Sequence, residues 1–430
     1  MILDIIWQIL GFSWWIIAFL ILFPLANSSW LAWRQELYKT EVKFVLLEIH
    51  IPREILRNPK GMEQILVQIH SLGNYPGNPK EYIWEGEVTN WFTMEMVSFG
   101  GEIHFYLRVI KKYKDVVEAA FFSYYPDVEI TIPSEDYLNK IPTNMREVYS
   151  KDLDIWGTEL VLGKDPAYPL KSYIDFESPV EEKEYDPISV LLEVLGKVKK
   201  GEIVGIQFVC YPMFPTSWVK IGESLIKELK EKTTGSAKET EGGAINISKQ
   251  FTQRTPGEIG LIKAVEENTT FPAFKTIARP IYISPREILS QSISRGVTGA
   301  FNQYSALNLN YFFNNLAMVT RTQIWSKPYV FPKTRLEYKK QRILYNYRNP
   351  KPVPQTFIGK LTSSYLFNWN FSTKEFPINV RVLATLFHPP MHYVLTAPHI
   401  NRLHSRKGGA SAGLSIFGDK NELEKFDFKE

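Results

Sequence analysis

FTMEMVSFGGEIHFYLRV, residues 92–109, reads as two strands, 92–98 and 103–109, joined at Gly100-Gly101. Paired glycines between two such runs supply the positive φ that a tight hairpin turn needs. Outward on the N-terminal side, residues 43–51 (KFVLLEIHI) are rich in strand formers. Residues 61–72 carry apolar side chains at Ile65, Leu66, Ile69 and Leu72, a helical stripe. On the C-terminal side, residues 113–124 read as a helix stopped before Pro126, and 128–132 alternate as a strand. The order strand, helix, strand, strand, helix, strand is that of a ferredoxin-like split βαβ unit, expected over residues 42–135.

A second unit is expected over residues 150–320, which makes the body a tandem of ferredoxin-like units in an α+β fold. Residues 159–162 and 171–174 read as short strands. Asp186-Pro187 opens a helix to about residue 199, with proline at the first helical position. Residues 202–211 and 274–283 are buried-looking strands, and 307–313 close the set. Ser284-Pro285-Arg286-Glu287 reads as a capping box opening a helix to about residue 303. Between the two long strands lies an insertion: a helix over 217–232, a polar, glycine-rich mobile stretch over 233–250, and a helix capped by Thr255-Pro256-Gly257-Glu258. The string PREIL occurs at 52–56 and again at 285–289, each after a β-rich run.

The N-terminus is of a different kind. Residues 5–23, IIWQILGFSWWIIAFLILF, hold no charge, and as a helix they reach about 28 Å, the thickness of a bilayer's hydrocarbon. Residues 1–30 therefore read as one N-terminal transmembrane helix with the lipid bilayer as its partner, and 31–41 as an amphipathic connector helix. Asp4 in place of a basic n-region argues against a cleaved signal. Arg34, Lys39 and Lys43 follow the helix, and no lysine or arginine precedes it. That bias predicts a single-pass protein of the cell inner membrane, N-terminus outside and body cytoplasmic. The remainder is an aromatic, proline-rich extension over 321–400 and a basic linker with a charged tail over 401–430.

Net charge is +4, from 50 basic and 46 acidic residues, too balanced for a nucleic-acid binder acting through bulk charge. The one cysteine, Cys210, excludes an intrachain disulfide and reads as an inert core residue. No phosphate-cradling G-x-x-x-x-G-K-[ST] loop, G-x-S-x-G elbow or H-E-x-x-H pair occurs. His388, His392, His399 and His404 cluster within 17 residues, a spacing that could hold zinc. Pro389, Pro390 and Pro398 and the lack of a nearby cysteine favour uncoordinated histidines in a boundary loop. Glu81, Glu85 and Glu87 read as a solvated face. No catalytic residue, cofactor or metal is expected. Basic residues interleave with tyrosines over 339–348 (KKQRILYNYR). Lys339, Lys340, Arg342 and Arg348 could track phosphates while Tyr345 and Tyr347 stack on bases. The same pattern fits an alternating strand with its basic residues facing water.

FKTIARPIYIS at residues 274–284 and ATLFHPP at 384–390, the latter leading into a basic glycine-rich linker, carry a resemblance. With one helix and a tandem α/β body, they resemble the membrane-anchored N-terminal region of bacterial conjugation and type IV secretion ATPases of the HerA–FtsK class. In that class a TLxHxP string and a basic linker sit just ahead of the ATP-binding core. Here the chain stops where the ATPase would begin, so no catalytic residue carries over. The resemblance implies a non-enzymatic scaffold or docking subunit acting with a separately encoded ATPase, as a ring-forming homo-oligomer. A tethered enzyme whose site is assembled from scattered residues is the competing expectation.

Overall fold

Gly100 and Gly101 take φ of +61° and +99°, and the strands they join pair antiparallel from Thr93↔Arg108 to Phe99↔Glu102. The computed structural model describes residues 2–52, 58–177, 186–235, 255–321, 331–362 and 373–391. It opens with α1 (Ile2–Glu41), β1 (Phe44–His50), α2 (Lys60–Ser71) and a π-helical turn at Lys80–Glu85. The hairpin β2 (Phe92–Phe99) and β3 (Glu102–Ile110), α3 (Lys114–Tyr124), β4 (Glu129–Thr131) and α4 (Met145–Ser150) follow. Next come β5 (Leu153–Gly157), β6 (Leu160–Leu162), α5 (Ser189–Gly196) and β7 (Ile203–Pro212). The helices α6 (Pro215–Gly235) and α7 (Pro256–Thr270) then lead into β8 (Ala273–Pro285), α8 (Gln291–Ala300) and β9 (Phe312–Asn314). The described chain closes with α9 (Pro332–Arg348), α10 (Phe357–Thr362), β10 (Phe376–Asn379) and α11 (Val380–Leu386).

The ten strands of the described residues share one antiparallel sheet, eight of them along the path β4-β1-β3-β2-β7-β8-β6-β9, with β5 and β10 pairing β8. The first half, β4-β1-β3-β2, is repeated in mirrored order by β9-β6-β8-β7, and the halves join where β2 pairs β7 from Phe92↔Cys210 to Phe99↔Ile203. β8 is paired along its length by β7, and on its other side by β10, β6 and β5 in turn. β5 and β6 share one register on β8 and are interrupted at Thr158-Glu159. Pro280 lies opposite that break and has no N–H to give.

The long central strands are buried on both faces, and strict alternation assigns each residue to one of two layers. Met94, Met96, Ile206, Phe208 and Tyr282 pack against Ile65 and Leu66 of α2, Phe121 of α3, Leu192 of α5, Val297 of α8 and Leu383 of α11. On the other face Val97, Tyr106, Ile281 and Ile283 meet Val148 of α4 and Ile343, Leu344 and Tyr347 of α9. Gly157 and Gly205 let α9 lie close: a Cβ on Gly205 would come within 2.1 Å of the Tyr347 hydroxyl, and one on Gly157 within 2.8 Å of Ile343.

Several expectations are corrected. Residues 171–174 do not form a strand; a 3-10 turn at Tyr173–Phe176 replaces it, closed by a capping box between Ser172 and Asp175. Ser284 and Pro285 belong to β8, drawn into the sheet by Asp154 and Leu153, so α8 starts six residues later, capped by Ser290. Of residues 307–313 only the end is strand. Residues 339–348 are helical, within α9. Residues 31–41 continue α1 without a break. The aromatic extension is not an appendage, since Phe376, Val380, Leu383, Leu386 and Phe387 sit in the main core. The first PREIL string in part, most of the 233–250 stretch and residues 401–430 lie outside the described residues.

Candidate functional site

A long polar side chain stands near the middle of each central strand, between apolar neighbours: Glu95 in β2, Gln207 in β7 and Arg279 in β8. Register places them in one row, Glu95↔Gln207↔Arg279, flanked by Tyr106 and by Glu159. All face α9, and Glu95, Gln207 and Glu159 are fully buried. Arg279 donates through Nε and Nη2 to Glu159 Oε1 at 3.1 and 2.9 Å, and through Nη1 to Gln207 Oε1 at 3.1 Å. Gln207 and Thr93 donate to Glu95 Oε1 at 3.0 and 2.6 Å. Arg108 reaches the same oxygen at 3.7 Å and makes a two-pronged pair with Asp136. The acidic neighbours Glu95 and Asp136 hold the Arg108 guanidinium above its ordinary value, outweighing burial.

This rung also terminates α9. The last carbonyls of a helix lack intrahelical partners. Here Asn346 O accepts from Arg279 Nη1 at 2.8 Å and Tyr347 O accepts from Gln207 Nε2 at 3.1 Å. A cation at a helix C-terminus is also favoured by the helix dipole. Tyr137 donates to the Tyr347 hydroxyl at 3.2 Å, and burial pushes both phenols well above their ordinary value.

The basic residues singled out in the sequence are all on α9 and turn largely to protein partners. Lys340 Nζ meets Asp154 Oδ1 at 2.6 Å, and Lys339 Nζ donates to the carbonyls of Leu316 and Arg321. Arg348 donates to the carbonyls of Leu138 and Ile141, and Arg342 lies against Met318 Sδ. Tyr347 is fully buried and Tyr345 is half-buried. His388 is buried too, its Nε2 2.9 Å from Asp186 Oδ1 and its Nδ1 2.9 Å from Ala384 O. Asp186, read as a cap, receives the N–H groups of Ile188 and Met391 as well, and so ties the chain after α11 to the start of α5. His392, His399 and His404 lie outside the described residues. Among the described residues, no three potential ligands gather to hold a metal. Glu81, Glu85 and Glu87 lie in or beside the π-helical turn, bonded to Asn78, Lys80 and Tyr38 respectively.

The second constellation is the junction of α1 with the body. The part of α1 from Trp14 to Glu41 is long and apolar enough to cross a membrane, and little of its most apolar stretch is buried against the rest of the chain. Phe19, Leu20, Ile21, Leu22 and Phe23 are exposed, whereas Leu31, Ala32, Gln35 and Lys39 are buried. α10 and the π-helical turn flank the buried part. The Trp30 indole donates to Ile83 O at 2.9 Å, Arg34 donates to Trp84 O, and the Ile358 amide donates to Ser28 Oγ at 3.4 Å. Gly86 ends the π-helical turn at φ +67°, and a Cβ there would lie 2.4 Å from the Arg34 carbonyl carbon. Below it, Tyr38 and Val42 of α1 and its exit pack on Trp91, Val209 and Tyr211.

Sequence reading missed the rung. Its signal was present as a long polar side chain near the middle of each central strand, but only the register shows that these residues meet. One family model, described as a domain of unknown function (DUF8128), matches residues 57–327. The matched part holds β2 to β9 and the rung, and excludes α1, β1 and α9. No curated protein matches the chain.

Proposed function

The chain belongs to the DUF8128 family, and we propose that it is a membrane-anchored, non-catalytic scaffold. In this reading it is a docking subunit of a translocation machine of the conjugation or type IV secretion kind, beside a separately encoded ATPase. One observation carries the reading: α1 is a single helix that bares Trp14, Trp15, Ile16 and Phe19 to Phe23, while Leu31, Ala32, Gln35 and Lys39 further along it are built into the body. Each large apolar side chain gains about 1.5–3 kcal/mol on leaving water, so the bared stretch is favoured in lipid and penalised in solution. Arg34, Lys39 and Lys43 on the body side orient it with the N-terminus outside and the body cytoplasmic, at a bacterial inner membrane.

The strand orders β4-β1-β3-β2 and β9-β6-β8-β7 support reading the body as tandem ferredoxin-like units fused edge to edge. The buried rung supports a structural role for the centre of the sheet, since Arg279 pairs with Glu159 while Arg279 and Gln207 close the end of α9. A scaffold serving a hexameric motor would itself be a homo-oligomer, an expectation that comes from the resemblance.

Native membranes washed at alkaline pH should retain the protein. Gentle detergent extraction should then bring down a Walker-motif ATPase, identified by mass spectrometry. Release by the wash would end the anchor reading. Hydrolysis of ATP or an ester by the purified chain alone would end the scaffold reading.

A further inference from the structure

A second set of exposed apolar side chains surrounds the foot of the anchor, and a single span does not account for it. The π-helical turn at Lys80–Glu85 and α10 stand on either side of α1 beside Ser28 to Arg34. They present Trp84 at 62% exposure and Phe357 at 60%, with Ile83 beside them and Trp30 and Trp33 on α1 itself. The Trp84 and Trp30 rings meet edge to face at 5.6 Å, and Trp30 and Arg34 hold the backbone of Ile83 and Trp84 by hydrogen bonds. Gly86 allows the turn to lie directly on the Arg34 backbone. An outward-facing indole held in this way is a fixed feature of the surface.

Its height along α1 identifies what covers it. The apolar run closes at Ala26, before Asn27-Ser28-Ser29, and Trp30, which holds the turn, lies four residues beyond it. At the helical rise this is about 6 Å along the axis. The polar layer on each side of a bilayer is about 5–8 Å deep. Tryptophan is enriched in that layer, where its ring is neither fully dry nor fully wet. We infer that Ile83, Trp84 and Phe357, with Trp30 and Trp33, form a collar seated in the headgroup layer of the bilayer that α1 enters. Two attachments, one through the membrane and one on it, fix the tilt of the body against the surface. This inference rests on the membrane reading of α1.

The lone Cys210 makes the test direct. It is fully buried near the C-terminal end of β7, and burial pushes its thiol up to about 12, so it does not compete for a label. Cysteines introduced as Leu20→Cys, Ile83→Cys, Trp84→Cys, Phe357→Cys and Lys200→Cys, one per full-length chain, are labelled with an environment-sensitive fluorophore. The proteins are reconstituted into phosphatidylcholine–phosphatidylglycerol vesicles doped with shallow or deep nitroxide lipids. Lys200 sits beyond the turn at the opposite end of β7 and is the aqueous control.

The Leu20 label should lose most of its emission to the deep quencher, the three collar labels should lose theirs to the shallow one, and the Lys200 label should be unchanged. Loss at Leu20 with none at any collar position overturns the collar and leaves the anchor standing. No loss at Leu20 overturns the anchor, and the collar with it. Three independent collar positions keep the result decisive if one variant fails to fold.

Discussion

At the scale of single residues, the rung sets the strongest constraint. Arg279 neutralises Glu159 and at the same time fills the empty end of α9, so its side chain has no equivalent among apolar residues. Arg279→Met should destabilise the detergent-solubilised protein by about 3–5 kcal/mol in urea unfolding, because it leaves a carboxylate buried without its counter-charge. A loss below 1 kcal/mol would mean that Glu159 is served by other groups. A second residue-scale case lies at the surface. The Glu147 carboxylate accepts from the Thr143 amide and hydroxyl and from Lys151, all at 2.7 Å, and these partners hold it at about 2 against an ordinary 4.5. Its folded value is the lower one, so its contribution is fully present above 4.5 and drains away as pH falls towards 2. Glu147→Gln should therefore flatten the loss of stability between about pH 5 and 2, a small effect because the group is solvated. An unchanged acid profile would count against the assignment. Neither site was legible as a site in the sequence. Glu95, Gln207 and Arg279 lie on three different strands, and their partnership is a property of register.

At the scale of elements, local signals were legible and tertiary ones were not. The Gly100-Gly101 hairpin and the stripe on α2 follow from spacing alone, and both stand where the pattern put them. The Ser284-Pro285-Arg286-Glu287 box failed because β5 competes for the same backbone, and five strand pairs outweigh one cap. Residues 339–348 carry tyrosines and basic side chains that fit a strand as well as a helix. The helix wins because Gly157 and Gly205 open the space into which Ile343 and Tyr347 pack. Gly86 offers an element-scale test. Gly86→Ala places a side chain at positive φ, at about 1–2 kcal/mol, and drives it into the backbone of α1. Amide exchange should quicken across residues 80–87 while the β2–β7 seam keeps its protection. Equal change in both, or in neither, would show that the turn and α1 are not coupled in this way.

At the scale of the whole molecule, a mixed α+β body behind an apolar helix was readable from periodicity, but the way its central strands meet was not. Which edges pair depends on β2 and β7 both being buried on two faces, and their apolar runs state the burial without naming the neighbour. The seam has a thermodynamic consequence. One sheet and one main core should unfold in a single transition, with near- and far-ultraviolet dichroism tracing the same curve. Two separated transitions would show that the halves are independent. The rim of that sheet carries a last consequence. Among the described residues the strands with a free side, β4, β5, β9 and β10, are only three to five residues long. An unpaired edge is a template for strand addition by a neighbouring chain, and a short one is a poor template. If α1 anchors the chain as proposed, its copies are confined to two dimensions and meet one another at high local concentration. With its long strands at the centre and its short ones outside, this body can crowd on a surface without zipping into fibres.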